Sequence, residues 1–152
     1  MSKQILRFLV ALVVLTGAIF LSCDPEIITP SSGLFFADVD DVSFNADEVN
    51  AQLFVSGSDS TLEITATNAN NEVIEIRITQ PKVTSYSFSS TGSNVDFTYK
   101  SASGQTTFSE NTISGKVTIY KYDLDERDTA GDFSFETDNS SITNGSFTSV
   151  SF

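Results

Sequence analysis

The feature that most constrains this chain is an alternation of apolar and polar residues with a period of two. The clearest case is the segment 61–68, in which Leu62, Ile64 and Ala66 share one parity and polar residues occupy the other. Such alternation is typical of a β-strand with one buried face, whereas an amphipathic helix repeats its apolar residues every three or four positions. No window after residue 33 shows a convincing helical repeat. The chain is therefore predicted to be all-β.

Similar segments recur along the chain, separated by clusters of Gly, Asn, Ser and Asp that favour turns. The cluster at 68–71 predicts a hairpin, and Pro81 ends its second strand because proline lacks the N–H that a ladder needs. Apolar residues change parity between Phe147 and Val150, which predicts a β-bulge. The predicted strands are 34–39, 42–46, 49–56, 61–68, 73–80, 86–88, 95–99, 116–122, 132–138 and 146–152.

These nine or ten short strands predict one antiparallel, mostly meandering domain, since the connections are too short for crossover helices. A β-sandwich is the expected architecture, and a lipocalin-like β-barrel is the alternative. The inward-facing Phe, Ile and Val residues suffice for the core of a domain of this size.

The first 22 residues predict a signal peptide. Lys3 and Arg7 precede an uncharged run at 8–20, which is shorter than the roughly 20 apolar residues of a membrane-spanning helix. The composition turns polar and acidic after Cys23, the only cysteine of the chain. Residues 23–33 have the Pro/Ser composition of a flexible tether. Residues 34–152 are predicted to form the single β-domain.

The sequence FLSC at 20–23 resembles the lipobox of bacterial lipoproteins. The resemblance implies that Cys23 is lipidated and that the signal peptide is cleaved before it. The lipid would then hold the domain on a membrane. The alternative is a secreted protein in which Cys23 has no such role.

The segments 115–119 (GKVTI), 131–135 (GDFSF) and 142–147 (ITNGSF) resemble a pattern found in small lipoproteins of the Bacteroidota. That family is a domain of unknown function. The resemblance implies a β-domain anchored in the outer membrane and brings no catalytic residues. It also implies O-glycosylation at Ser60 and Thr129, which lie in Asp-Ser/Thr triplets that we expect to be exposed.

Composition excludes several kinds of chemistry. The chain of 152 residues has no histidine and one cysteine. It therefore has no Ser-His-Asp or Cys-His pair and no zinc site of the common His/Cys kinds. The net charge of −12 argues against a nucleic acid partner, whose phosphates would repel the protein. No cofactor is predicted.

Asp123, Asp125 and Asp128 are weak candidates for calcium ligands because carboxylates at alternating positions suit this cation. An EF-hand loop beginning at Asp123 would need glycine at its sixth position and glutamate at its twelfth, but these positions hold Asp128 and Ser134. The preferred interpretation is a solvated acidic hairpin tip without a metal.

Lys116, Tyr120 and Tyr122 share one parity of the strand at 116–122 and form a candidate binding face. Exposed aromatic side chains on a sheet can stack on sugars or contact a protein. The alternative is that these tyrosines favour strand formation or pack against a second sheet.

The sequence thus predicts a lipid-anchored domain of the cell envelope, on the periplasmic or the outer side, with a non-catalytic binding or scaffolding role. Its expected partners are the membrane and, in addition, a glycan or an envelope protein. The alternative is a small carboxylate-based hydrolase acting on envelope or glycan substrates. Fold and composition supply no site for such an enzyme, so none is expected.

Overall fold

A computed structural model describes residues 33–88, 92–102, 106–107 and 112–152. The signal peptide at 1–22, Cys23 and the tether as far as residue 32 lie outside the described residues. The described chain contains ten strands. They are β1 (Leu34–Val39), β2 (Val42–Ser56), β3 (Asp59–Asn68), β4 (Val73–Thr79), β5 (Ser85–Ser87), β6 (Val95–Lys100), β7 (Thr106–Thr107), β8 (Thr112–Asp123), β9 (Asp128–Thr137) and β10 (Ser141–Ser151).

All ten strands belong to one antiparallel sheet, in the order β5-β8-β9-β10-β1-β2-β3-β4-β6-β7. The prediction of an all-β, antiparallel and mostly meandering domain is confirmed. The sheet curls into a nearly closed, barrel-like structure, so it corresponds to the second of the two architectures that the sequence left open. One departure from the meander is β5, which pairs with β8 rather than with its neighbours in sequence.

The half of the sheet formed by β3, β4 and β6 is regular, and its inner face is lined mainly by branched aliphatic side chains. Strand β3 pairs with β4, and β4 with β6, without a register shift. Alternate residues therefore point inward throughout. Ile64, Ile76 and Phe97 occupy one row of this inner face and are fully buried or nearly so.

The half formed by β8, β9, β10 and β1 is filled by phenylalanine rings that lie over glycines. Each of three glycines stands directly opposite a phenylalanine on the next strand: Gly115 opposite Phe135, Gly131 opposite Phe147, and Gly145 opposite Phe133. A Cβ atom at position 145 would lie 2.5 Å from the Phe133 ring. The rings therefore occupy space that only glycine leaves free, which explains why glycines and phenylalanines recur together in the C-terminal motifs.

Register shifts interrupt this second half. The bulge predicted between Phe147 and Val150 is confirmed, since the β9–β10 register shifts there. A further shift lies between Ile119 and Lys121 in β8.

Strand β2 is continuous where two strands were predicted, with an irregularity between Ala46 and Glu48. Bulges of this kind bend strands and help a sheet to close.

No helix among the described residues is long and apolar enough to cross a membrane.

Candidate functional site

An open groove of about 710 Å³ lies on the outer face of the sheet, across β8, β9, β10 and β1. Two exposed aromatic side chains line it, together with one lysine, one aspartate and several small polar residues. The lining residues are Phe36, Lys116, Thr118, Tyr120, Asp132, Phe133, Ser134, Thr143, Asn144, Gly145 and Ser146.

The middle of the groove is a row of residues that the strand registers bring side by side. Thr118 is paired with Asp132, Asp132 with Ser146, and Ser146 with Phe36. Paired residues of an antiparallel sheet point to the same face. The row is therefore fixed by backbone hydrogen bonds and does not depend on a flexible loop.

Tyr120 and Asp132 form the polar centre of the groove. The Tyr120 hydroxyl donates a hydrogen bond to Oδ2 of Asp132. This bond, reinforced by the negative charge of the carboxylate, raises the pKa of Tyr120. Tyr120 nevertheless remains 56% exposed, and Phe36, on β1, is 45% exposed. Both rings can therefore be contacted by a ligand.

The end of the groove at Asn144 is held by polar contacts between β10, β1 and β2. Asn144 has a φ of 51°, a left-handed conformation that asparagine tolerates better than most residues. Its Nδ2 donates to Oδ2 of Asp38 at 2.8 Å, and Ser43 Oγ donates to Oδ1 of the same carboxylate at 3.4 Å. These bonds fix the amide at the edge of the groove.

Comparison with known families identifies a domain of unknown function, as the sequence analysis expected. The family model of DUF6252, a domain of unknown function, matches residues 31–151. The chain belongs to this family. The match begins three residues before β1 and ends on the last residue of β10. No curated protein and no solved structure is significantly similar to the chain.

In this DUF6252 domain the predicted binding face is only partly assembled. Lys116 and Tyr120 both line the groove. Tyr122 does not, because the register shift after Ile119 changes the parity of β8. Its half-buried ring packs against the core and stacks on Phe152, with the ring centroids 5.4 Å apart.

Sequence reasoning proposed only Lys116 and Tyr120 among the residues that line the groove, and the residues it missed include Phe36, Asp132 and Asn144. The parity of β1 contained a signal for the first, since Phe35 and Phe36 cannot both face the core. The other two become neighbours of Tyr120 and Phe36 only through strand pairing, which the local sequence does not specify.

The acidic residues between β8 and β9 are engaged with one another and with a lysine. Oδ1 of Asp123 accepts hydrogen bonds from the backbone N–H of Asp125 at 2.9 Å and of Glu126 at 3.0 Å. The bond from Glu126 is the main cause that lowers the pKa of Asp123. Nζ of Lys121 lies 2.7 Å from Glu126 and 2.9 Å from Asp128. Within the described ranges, no three His, Cys, Asp or Glu residues are grouped so as to hold a metal.

The two candidate glycosylation sites differ in accessibility. The exposure expected for Thr129 is wrong, because this residue is fully buried in β9 and its Oγ1 donates to the backbone carbonyl of Lys121 at 3.0 Å. A glycan on Thr129 would have to displace that bond and the packing around it. Ser60 lies half-buried in β3, two residues after the β2–β3 turn.

Proposed function

We propose that this protein is a lipid-anchored, non-catalytic domain of the outer membrane that binds a glycan in the groove. The observation that carries the proposal is the pair of exposed rings, Tyr120 and Phe36, on a groove floored by hydroxyl-bearing side chains. Aromatic rings offer flat apolar surfaces to the C–H faces of a sugar, while fixed polar groups orient its hydroxyls.

The charges and polar groups of the groove support binding of a hydroxyl-rich ligand. Asp132 accepts one bond from Tyr120, but a carboxylate has capacity for further donors. Lys116 supplies N–H donors on the neighbouring strand, opposite Ser134. The Asn144 amide adds both a donor and an acceptor at the edge.

The same lining favours binding over hydrolysis. Most glycosidases use two carboxyl groups, about 5–10 Å apart, on either side of the scissile bond. Asp132 is the one carboxylate among the described residues that line the groove. Asp38, near the Asn144 end, accepts hydrogen bonds from Asn144 and Ser43 and acts there as a structural acceptor.

The membrane anchor in this proposal is a lipid on Cys23. Cys23→Ser should therefore release the protein from the membrane fraction of its host. If the variant still sediments with membranes in high salt, the anchor lies elsewhere in the chain. This experiment addresses the anchor and leaves the groove untouched.

Glycan binding is tested with the purified protein and a panel of neutral and acidic oligosaccharides, by isothermal titration calorimetry. Tyr120→Ala should weaken binding at least tenfold without lowering the midpoint of thermal unfolding, because the ring is exposed. Phe54→Ala is the matched control, since it removes an exposed ring from β2, outside the groove. Equal affinities of Tyr120→Ala and the parent protein would contradict the proposal. Release of shortened oligosaccharides would favour a hydrolase instead.

A further inference from the structure

Four large apolar side chains are exposed at one end of the barrel-like sheet. They are Phe54 and Val55 near the end of β2, Val83 between β4 and β5, and Leu124 between β8 and β9. Their exposed fractions lie between 51% and 68%. We call these four residues the apolar rim.

The direction of the strands places these residues at the same end. Neighbouring strands of the sheet are antiparallel, so β2, β4, β7, β8 and β10 run one way, and β1, β3, β5, β6 and β9 run the opposite way. The loops that follow β2, β4 and β8 therefore all lie at one end. Hydrogen bonds support this grouping, since the N–H of Gln80 donates to the Ser60 carbonyl, and the N–H of Phe152 donates to the Arg127 carbonyl.

The first residue of β1 also lies on the side of that strand that faces this end. Strand β1 starts beside the C-terminal part of β10, where Leu34 is paired with Thr148. Cys23 precedes Leu34 by 11 residues, a segment that spans at most about 40 Å when fully extended. A lipid on Cys23 would thus keep the apolar rim within reach of the bilayer.

The charged residues at this end of the sheet determine which lipid headgroups the apolar rim can approach. Asp59, Asp123, Asp125, Glu126 and Asp128 lie in or beside the three loops, against Lys82, Lys121 and Arg127. The excess of acidic groups disfavours a surface rich in anionic lipids. Moving exposed apolar side chains from water into the boundary between headgroups and acyl chains nevertheless remains favourable in free energy.

We infer that the apolar rim is a membrane-docking surface, with its side chains inserted into a zwitterionic lipid surface while the lipid on Cys23 holds the domain there. The inference rests on the anchor of the proposed function and adds an orientation to it. Since the groove lies on the side wall of the sheet, docking of the rim would leave the groove open to solvent beside the membrane.

The absence of tryptophan from the chain allows a direct test. Single tryptophans are introduced as Phe54→Trp and Leu124→Trp in the rim, and as Val42→Trp in a control. Val42 is 70% exposed and lies at the β1–β2 turn, at the opposite end of β1 from the tether. The lipid-bearing proteins are purified from host membranes and reconstituted on phosphatidylcholine vesicles with brominated acyl chains.

We expect the vesicles to quench both rim tryptophans at least twofold and to shift their emission to shorter wavelength. The Val42→Trp protein should keep the emission of a solvated indole and stay unquenched. Replacing half of the phosphatidylcholine by phosphatidylglycerol should reduce the quenching of the rim probes. Rim probes that are quenched no more than Val42→Trp, on protein that remains bound to vesicles, would overturn the inference.

A second experiment tests docking of the apolar rim independently of natural lipidation at Cys23. If the host leaves Cys23 unmodified, the purified chain is coupled through this single cysteine to a maleimide-bearing lipid in the same vesicles. Quenching confined to the rim probes would then support docking although the natural anchor had failed. Equal quenching of all three probes, or of none, would reject it.

Discussion

The half of the sheet formed by β3, β4 and β6 differs from the half formed by β8, β9, β10 and β1 in how its inner face is filled. The first half buries branched aliphatic side chains in an unbroken register. The second buries phenylalanine rings against glycines, and each of its three strand pairings from β8 to β1 contains a register shift.

The outer faces of the two halves differ in the same way. The regular half carries surface ion pairs, in which Arg77 lies 2.6 Å from Glu63 on the neighbouring strand and 3.1 Å from Glu75 on its own strand. The irregular half carries the groove, and the bulge beside Tyr120 lies at its border. Bulges change the direction of side chains and bend the sheet. The irregular packing and the candidate site therefore belong to the same strands.

The largest expected effect comes from truncating a ring of the irregular half. Phe135→Ala should lower the free energy of unfolding by about 3–5 kcal/mol, because it leaves a large cavity. The Phe135 ring is nearly fully buried and stacks on Phe97 at 4.7 Å between centroids. Ile76→Ala, in the regular half, should cost about 2–5 kcal/mol. Urea unfolding of both variants compares the two kinds of core.

Ser134→Ala is the control for this measurement. Its side chain faces outward between two buried phenylalanines, so its cost should stay below about 0.5 kcal/mol. A loss as large as that of Phe135→Ala would mean that the register of β9 is wrong.

A smaller effect is expected from adding one methyl group in the irregular half. Gly145→Ala should cost about 1–3 kcal/mol, because the new Cβ overlaps the Phe133 ring and forces it to shift. Combining Gly145→Ala with Phe133→Leu should cost less than the sum of the two single variants, since the smaller side chain makes room. Strictly additive losses, measured by urea unfolding, would show that glycine and ring are not packed as a pair.

The regular half could be predicted closely from the sequence. Strands β3 and β4 and their hairpin follow from alternating apolar residues around an asparagine-rich turn, and no bulge disturbs the pattern. The bulge of β10 was also predictable, because Phe147 and Val150 are both strongly apolar and lie on conflicting parities.

The irregular half could be predicted only in part, for physical reasons. A tyrosine is compatible with either face of a sheet, so Tyr122 gave no sign that β8 changes parity after Ile119. Thr129 is buried because its hydroxyl finds a backbone acceptor on β8, a contact created by strand pairing. The pairing of the short β5 with β8 likewise depends on residues about 30 positions apart.

The smallest effect concerns a polar contact at the end of the regular half opposite the apolar rim, where Glu72 in the β3–β4 turn joins β3 to β6. The Tyr99 hydroxyl donates to Oε1 of Glu72 at 3.0 Å, and Asn68 Nδ2 donates to Oε2 at 2.6 Å. Burial, followed by the bond to Glu72 and its negative charge, raises the pKa of Tyr99 to about 12. Tyr99→Phe should cost about 1 kcal/mol at neutral pH, because one hydrogen bond is lost.

The same variant should change how stability depends on pH. The unfolded chain releases the Tyr99 proton near pH 10, whereas the folded protein holds it to about pH 12. The contribution of this proton is therefore complete below pH 10 and is lost as the pH rises towards 12. Burial also raises the pKa of Tyr86 and Tyr122, so the alkaline decline in Tyr99→Phe should become shallower without disappearing. Urea unfolding at pH 8, 10 and 11.5 measures this slope, and identical slopes for the variant and the parent protein would contradict the assignment of Tyr99 as a titrating group of the regular half.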